Sequence, residues 1–244
     1  MNLFFTTDIR GDFAWFSEEE SRHVLQVLRK MEGDPVQFVD GKGGFFTGII
    51  HEVGKRHFTA KINSAQLEFG KRNFRLHLAV APVKNAERFE WFLEKATEIG
   101  VDQITPLRCE HSERTHLRLD RLEKIVLAAT KQSLRAYLPK LDEMTDFEHF
   151  VKNSGSTSVT NPQSPIPNHF IAHCQKTELP HLKNLCPAGQ NVLILIGPEG
   201  DFSPAEIDLA ERHGFVSVSL GKARLRTETA GVVACHLANL ANEF

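Results

Sequence analysis

Asn191 to Ala230 reads NVLILIGPEGDFSPAEIDLAERHGFVSVSLGKARLRTETA, and the order of its punctuation decides the fold. Val192 to Ile196 is an unbroken run of β-branched residues and leucine, the pattern of a strand covered on both faces. It stops at Gly197-Pro198-Glu199-Gly200. Ser203, Pro204 and Glu206 then supply an N-cap, a proline at the first helical position and a capping-box glutamate, so a helix should begin directly after the turn. Phe215 to Leu220 alternates as a second strand, which Gly221 breaks. Strand, glycine turn, helix, strand and second glycine turn is the grammar of an open α/β sheet, which holds small ligands outside the carboxyl ends of its strands. The two turns are the expected ligand site.

Upstream the same alternation recurs. Phe74 to Ala81 (FRLHLAVA) alternates as a strand, and Arg88 to Ile99 sets Phe89, Phe92, Leu93 and Ala96 on one helical face, ending at Gly100 as a C-cap. Val101 to Leu107 reads as a short strand and Arg108 to Arg114 as a polar loop. Leu119 to Tyr137 is helical in pattern, and Arg121, Lys124, Lys131 and Arg135 outnumber Glu123 after Asp120. Such a face can touch phosphate or can simply be solvated. Asn153 to Asn168 carries no charge and is rich in Ser, Thr, Asn and Pro, which predicts an exposed loop of low order. His169 to Cys174 resumes strand character, and Ala230 to Leu240 reads as a closing apolar helix. Strands near 74, 101, 169, 192 and 215, separated by helices or long loops, predict an α/β domain with a mainly parallel sheet.

Residues 1 to about 70 are patterned differently. Val36 to Val39, Phe45 to His51 and His57 to Ile62 are short aromatic and β-branched runs punctuated by Asp40-Gly41, Gly43-Gly44 and Gly54, which predicts a small β-barrel. Ser17 can cap a short helix inserted before Val36, and Arg22, His23, Arg29 and Lys30 follow it. Lys71 and Arg72 read as the connection, giving domains at 1–72 and 73–244. A length of 244 residues allows two unequal domains, and a formal charge of -2 means that a nucleic-acid partner must be met by a local patch. No basic leader precedes a long apolar run, which predicts a cytoplasmic protein without membrane contact. Cys109, Cys174, Cys186 and Cys235 form no CxxC pair, so reduced thiols are expected, and His169, His173 and Cys174 lack a nearby carboxylate for a metal site.

The turns also exclude chemistries. Gly-Pro-Glu-Gly is neither of the glycine fingerprints that cradle phosphates, and a glutamate in the turn repels a polyphosphate, so the ligand near it should be neutral or cationic. Serine-hydrolase elbows and zinc-protease helices are absent from the sequence. Arg224, Arg226, Glu228 and Thr229 form a polar cluster after the second turn.

LIGPEGDFSPAEI and SLGKARLRTETA, together with EKATEIGVDQITPL, SERTHLRLDRLEKI, KQSLRAYLPKL and HVLQVLR, strongly resemble RsmE-type ribosomal RNA small subunit uridine-N3 methyltransferases of the SPOUT superfamily. The resemblance spans most of the chain, in order. It implies an N-terminal PUA-like β-barrel, a C-terminal SPOUT α/β domain ending in a trefoil knot, a homodimer, and S-adenosylmethionine as methyl donor to N3 of a uridine in small-subunit (16S) ribosomal RNA. Carried over by motif, the cofactor would be held by Leu195, Ile196, Gly197, Pro198, Glu199 and Gly200, by Leu220 and Gly221, and by Leu225. The family commonly has an arginine two residues after the second-turn glycine, followed by an aliphatic residue; this chain has Ala223 and Arg224 there, which leaves Arg226 the better-aligned arginine.

A methyl acceptor at uracil N3 forms only when its proton leaves and charge spreads to both carbonyl oxygens, so donors aimed at those oxygens stabilise the transition state. Arg226 is the first choice for that role and Arg224 the second, with Thr229 beside them; Glu199 and Glu228 are the carboxylates available as base. Arg10, Arg22, His23, Arg29, Lys30 and Arg224 would hold RNA, and no metal is required. A non-catalytic RNA-binding module with a vestigial cofactor site is the alternative from another class, and a nucleotide-dependent oxidoreductase is a third reading that the absent fingerprint opposes.

Overall fold

The computed structural model describes residues 2–154, 168–176 and 178–242; residues 155–167, most of the uncharged loop expected at 153–168, lie outside the described residues. The chain divides into two compact units, Met1–Lys71 with Leu127–Leu138, and Arg72–Val126 with Pro139–Phe244.

The first unit is built on β1 (Leu3–Phe5), β2 (Asp8–Arg10), β3 (Phe13–Trp15), the short α1 (Glu18–Arg22), a π-helical turn at His23–Val27, and β4 (Pro35–Val39), β5 (Phe45–Val53) and β6 (Phe58–Gln66). Ser17 caps α1 by accepting the Glu20 N–H, as its sequence position predicts. The strands form one sheet in the order β1-β4-β5-β6-β3-β2, with β1 parallel to β4 and every other pair antiparallel. Its two edge strands, β1 and β2, are separated by Thr6 and Thr7 alone. In a flat sheet, five strand spacings would hold the edges about 24 Å apart. The link from Phe5 to Asp8 reaches at most about 11 Å. The sheet must therefore curl, as a small barrel does, and Phe4, Phe16, Phe38, Phe46 and Phe58 fill its interior. Phe16 stacks on Phe58 at 4.2 Å and meets Phe38 edge-on at 5.2 Å.

The second unit contains β7 (Leu76–Val80), α2 (Ala86–Ile99), β8 (Gln103–Arg108), α3 (Leu119–Gln132, whose last turns belong to the first unit), β9 (Lys140–Leu141), β10 (Thr145–Asp146), α4 (Phe147–Ser154), β11 (His169–Ala172), α5 (Leu182–Leu185), β12 (Val192–Ile196), α6 (Pro204–Arg212), β13 (Val216–Val218) and α7 (Thr227–Leu240). Its strands are all parallel, in the order β10-β8-β7-β12-β11-β13, with β9 beside β8. Every residue of β12 is buried, as its unbroken apolar run demands. Leu193 and Leu195 of β12 and Ala79 of β7 face Phe147 and Phe150 of α4, Phe202, and Ile207 of α6. On the other side α7 packs on β7, β12 and α2. The path β11 to β12 to β13 first moves inward and then returns across β11 to the outer edge, so the chain reverses direction at β12. Such a reversal opens a crevice at the carboxyl ends of the strands.

Several boundaries differ from the sequence reading. The helix expected to run to Tyr137 ends at Gln132, because Leu134 takes a left-handed φ of 56° and residues 136–138 turn to pair with the hairpin at 40–44. Gly43 donates to Ala136 O at 3.0 Å and Leu138 donates to Gly41 O at 3.0 Å. A Cβ at Gly43, whose φ is 101°, would stand 2.4 Å from the Tyr137 ring. Arg72 groups with the second unit, donating to Gly100 O and Asn239 Oδ1, each at 2.7 Å, and pairing with Asp102. The single crossing expected after residue 72 is thus joined by two more around 127–138. The last strand spans only Val216–Val218, and α7 begins at Thr227 rather than at Ala230 because Arg226 is the last extended residue.

Candidate functional site

The Gly197–Asp201 turn is shaped by its own backbone and by β11. Asp201 N–H closes the turn on Pro198 O at 3.0 Å. Asp201 itself has a φ of 65°, and its carboxylate accepts the N–H groups of Cys174 and Phe202, each at 2.8 Å. This clamp fastens the end of β11 to the turn after β12. A Cβ at Gly197 would approach the Phe202 ring to 3.0 Å, so no larger residue fits without displacing it. The expected capping box is present: Ser203 Oγ accepts from Glu206 N–H at 3.3 Å and Glu206 accepts from Ser203 N–H at 2.9 Å. The second turn uses glycine for conformation, since Gly221 has a φ of 132°, and Ser219 Oγ bridges its N–H and carbonyl at 3.0 and 3.1 Å. Buried Thr227 donates to Gly197 O at 3.0 Å and ties the start of α7 to the first turn.

These connections enclose a cavity of about 390 Å³ at the carboxyl ends of β11, β12 and β13, within the range of small-molecule sites. Of the residues singled out by sequence, Ile196, Gly197, Pro198, Glu199, Leu220, Gly221, Arg224, Leu225 and Arg226 line it. Arg224 and Arg226 are both exposed there, so the one-position shift removes neither from the wall. Leu195 is buried in the core beside Phe202, and Gly200 lies against His111. Neither lines the cavity. Glu228 and Thr229 occupy the first turn of α7 outside the lining, with Glu228 buried.

The third strand end was missed. Ala172, His173, Cys174 and Asp201 also line the cavity, and the parallel-sheet rule that placed the two glycine turns could have added the end of β11. His173 Nδ1 accepts from Gln175 N–H at 3.2 Å, and its Nε2 lies 2.9 Å from Ser217 Oγ, which donates to Glu211 at 2.6 Å. Burial lowers the His173 pKa and keeps the ring neutral. Among the described residues no group of acidic, histidine and cysteine side chains is arranged to hold a metal, and the cysteines are free thiols.

Arg88, from the first turn of α2, was not singled out by sequence. Its guanidinium stands 3.7 Å from Glu199 Oε1 and 3.8 Å from Glu228 Oε1, between the two carboxylates considered as base. Glu228 Oε2 is buried without a hydrogen-bond partner among the described residues.

The remaining candidates lie in the first unit. Arg10 forks onto Asp8 at 2.7 and 2.9 Å and covers Trp15, while Lys30 donates to Pro35 O at 2.7 Å. Arg22, His23 and Arg29 are exposed around the π-helical turn. The basic face of α3 is partly engaged: Arg121 pairs with Glu90 at 2.7 Å, and Lys131 with buried Glu20.

Residues 70–239 match the RNA methyltransferase domain family, and residues 16–63 match the PUA domain of RNA methyltransferases. A ribosomal RNA small subunit methyltransferase E from Synechocystis is 31% identical over 221 residues, covering 87% of this chain and 68% of that protein. The chain belongs to this RNA methyltransferase family. Among solved structures of similar proteins, a probable rRNA-methyltransferase from Porphyromonas gingivalis is 36% identical with a TM-score of 0.87, covering 99% of this chain and 98% of that one. A protein from Legionella pneumophila assigned as a methyltransferase, solved with the cofactor SAM bound, is 28% identical with a TM-score of 0.82, covering 98% and 97%. The PUA-like curled sheet and the parallel α/β domain expected from the family resemblance are the two units described above. No described helix is long and apolar enough to cross a membrane.

Proposed function

We propose that the chain is an S-adenosylmethionine-dependent methyltransferase acting on N3 of a uridine in small-subunit ribosomal RNA, with the cavity at the ends of β11, β12 and β13 as its cofactor site. The observation that carries this reading is the cavity itself, walled by both glycine turns of the family motifs and by the start of α7. Its residues suit the cofactor: Ile196, Pro198, Leu220 and Leu225 offer apolar surface, Gly197 and Gly221 present bare backbone, and Glu199 and Asp201 offer negative charge to a cationic ligand. The cofactor supplies an already activated methyl group on a sulfonium.

The chain's residues then have to hold and prepare the base. Arg226 is the donor that stabilises negative charge on a uracil carbonyl oxygen as the N3 proton leaves, with Arg224 beside it, and Thr229 supports that first turn of α7. Glu199 lines the cavity and acts as proton acceptor, because the carboxylate of Asp201, which also lines it, is engaged by the Cys174 and Phe202 N–H groups. Leu195 and Gly200 shape the first turn from behind. In the first unit Arg10, Arg22, His23, Arg29 and Lys30 position RNA through its phosphates, while the second unit is the SPOUT methyltransferase domain with its trefoil knot. The working form is a cytoplasmic homodimer.

The test is Arg226→Ala, assayed for methyl transfer to small ribosomal subunits lacking the modification, with S-adenosylmethionine binding followed by calorimetry. Transfer should fall by about 10²- to 10³-fold. Cofactor binding should remain measurable. Full activity in this variant would sink the assignment.

A further inference from the structure

The placement of Arg88 follows from the topology. β7 and β12 are parallel neighbours, with Val80 opposite Ile196, so the chain leaves both strands on the same edge of the sheet. After β7 the chain reaches Asn85, whose side chain accepts the Glu87 N–H at 2.8 Å and fixes the start of α2. Arg88 is the third residue of that helix and therefore meets the Gly197–Asp201 turn. Helical spacing brings it to α7 as well. Arg88 lies one turn before Phe92, Glu228 lies one turn before Gly231, and a Cβ at Gly231 would stand 2.5 Å from Phe92. The tight Phe92–Gly231 contact brings the preceding turns, with Arg88 and Glu228, alongside each other.

The two carboxylates differ in what they can reach. Glu199 lines the cavity and its side chain is 41% exposed, whereas the Glu228 side chain is 8% exposed and does not line it. A buried carboxylate needs a counter-charge, and Arg88 is the cation within ion-pair range of it among the described residues. The same guanidinium, 3.8 Å from Glu228 through Nε, stands 3.7 Å from Glu199 through Nη1.

We infer that Arg88 is a positioning residue, held by Glu228 as its buried counter-charge, and that it fixes the Glu199 carboxylate at the cavity wall as the proton acceptor for the bound uridine. The inference rests on the reading of the cavity as the methyl-transfer site. It assigns the base to Glu199 and removes Glu228 from that role. The proton moves from uracil N3 to a Glu199 oxygen, the electron pair left on N3 forms the new N–C bond, and the methyl–sulfur bond breaks with its pair returning to sulfur.

A double-mutant cycle on the full-length protein tests this, with methyl transfer measured under saturating and limiting RNA and cofactor binding measured separately. Glu199→Gln should lower kcat by about 10²-fold, in line with the loss of a general base. Arg88→Met should lower kcat about tenfold with the KM for S-adenosylmethionine unchanged, Arg88→Lys should restore most of that loss, and Arg88→Met added to Glu199→Gln should have no further effect on kcat. Glu228→Gln should resemble Arg88→Met rather than Glu199→Gln. Multiplying effects in the double variant, or a Glu228→Gln loss equal to that of Glu199→Gln, would overturn the inference. A loss of folding in Arg88→Met is recognised by circular dichroism, and the Arg88→Lys and Glu228→Gln comparison then decides the matter alone. Failure of the underlying reading looks different, since the unmutated protein would then transfer no methyl group.

Discussion

Gly231 of α7 lies so close to Phe92 of α2 that a Cβ at 231 would stand 2.5 Å from Phe92 Cε2. Phe92 is fully buried, so its ring has little room to retreat. Gly231→Ala should therefore push the two helices apart and destabilise the fold by about 1–3 kcal/mol, despite alanine's better helix propensity. Chemical denaturation measures the loss. A stabilised variant would show that Phe92 can move aside, and the close contact would then not set the spacing of α2 and α7.

Asp201 combines a left-handed backbone with a carboxylate that accepts two hydrogen bonds, from Cys174 N–H and Phe202 N–H at 2.8 Å each. Asp201→Gly relaxes the backbone by about 1 kcal/mol and forfeits both bonds, at about 1.5 kcal/mol or more each for an ionised acceptor. The net expectation is a loss of stability of about 2 kcal/mol, together with weaker S-adenosylmethionine binding because the end of β11 is released. Asp201→Asn keeps an oxygen acceptor and should lose less on both counts. Urea titration and calorimetry on the two variants check the order; an Asp201→Gly variant more stable than the unmutated protein, with cofactor binding unchanged, would mean that the carboxylate clamp contributes nothing.

The lattice of the second unit could be read from sequence because its signals are local. Val192 to Ile196 announces a doubly covered strand, and Ser203, Pro204 and Glu206 each perform the capping role their positions predict. What could not be read depends on contacts across the chain. Leu134 takes a left-handed conformation only because residues 136–138 pair with the hairpin containing Gly43, more than 90 residues upstream. Arg88 looks like an ordinary polar residue at the start of an amphipathic helix, and only the β7–β12 pairing carries it to Glu199. His173 and Cys174 lack the neighbouring carboxylate in sequence that would mark a metal site, yet they wall the cavity through the end of β11. Register and strand order, rather than residue type, decided these cases.

In the first unit, Lys131 pairs with Glu20, whose side chain is only 8% exposed. Removing the lysine leaves a buried carboxylate without its counter-charge. Lys131→Met should cost about 3 kcal/mol, and Lys131→Met with Glu20→Gln should recover part of it because the buried charge is then gone. Thermal unfolding of the single and double variants provides the comparison. If the double variant is as unstable as the sum of both singles, the two residues do not act as a pair.

His77 sits on β7 with its Nε2 2.8 Å from Thr105 Oγ1, and Thr105 donates in turn to Asp142 Oδ2 at 2.6 Å. The hydroxyl oxygen is thus left to accept, and the imidazole donates as the neutral Nε2–H form. Burial lowers its pKa to about 4, against the opposing pull of the Asp142 carboxylate. The unfolded chain binds this proton near pH 6.5, so between about 6.5 and 4 it holds more protons than the folded one, and stability rises with pH across that window. The contribution is complete above the unfolded value and is lost as pH falls toward the folded one, amounting to about 3 kcal/mol over the whole span. His169 and His173 are shifted in the same direction by burial and add to the slope, so the diagnostic is a difference between proteins. His77→Gln keeps a donor for Thr105 and cannot titrate. Hydrogen exchange of the β7 amides at pH 7 and at pH 4.5 should show a smaller loss of protection in His77→Gln than in the unmutated protein. Equal losses in the two would mean that His77 is already protonated in the folded state, and the neutral tautomer drawn from its bond to Thr105 would have to be abandoned.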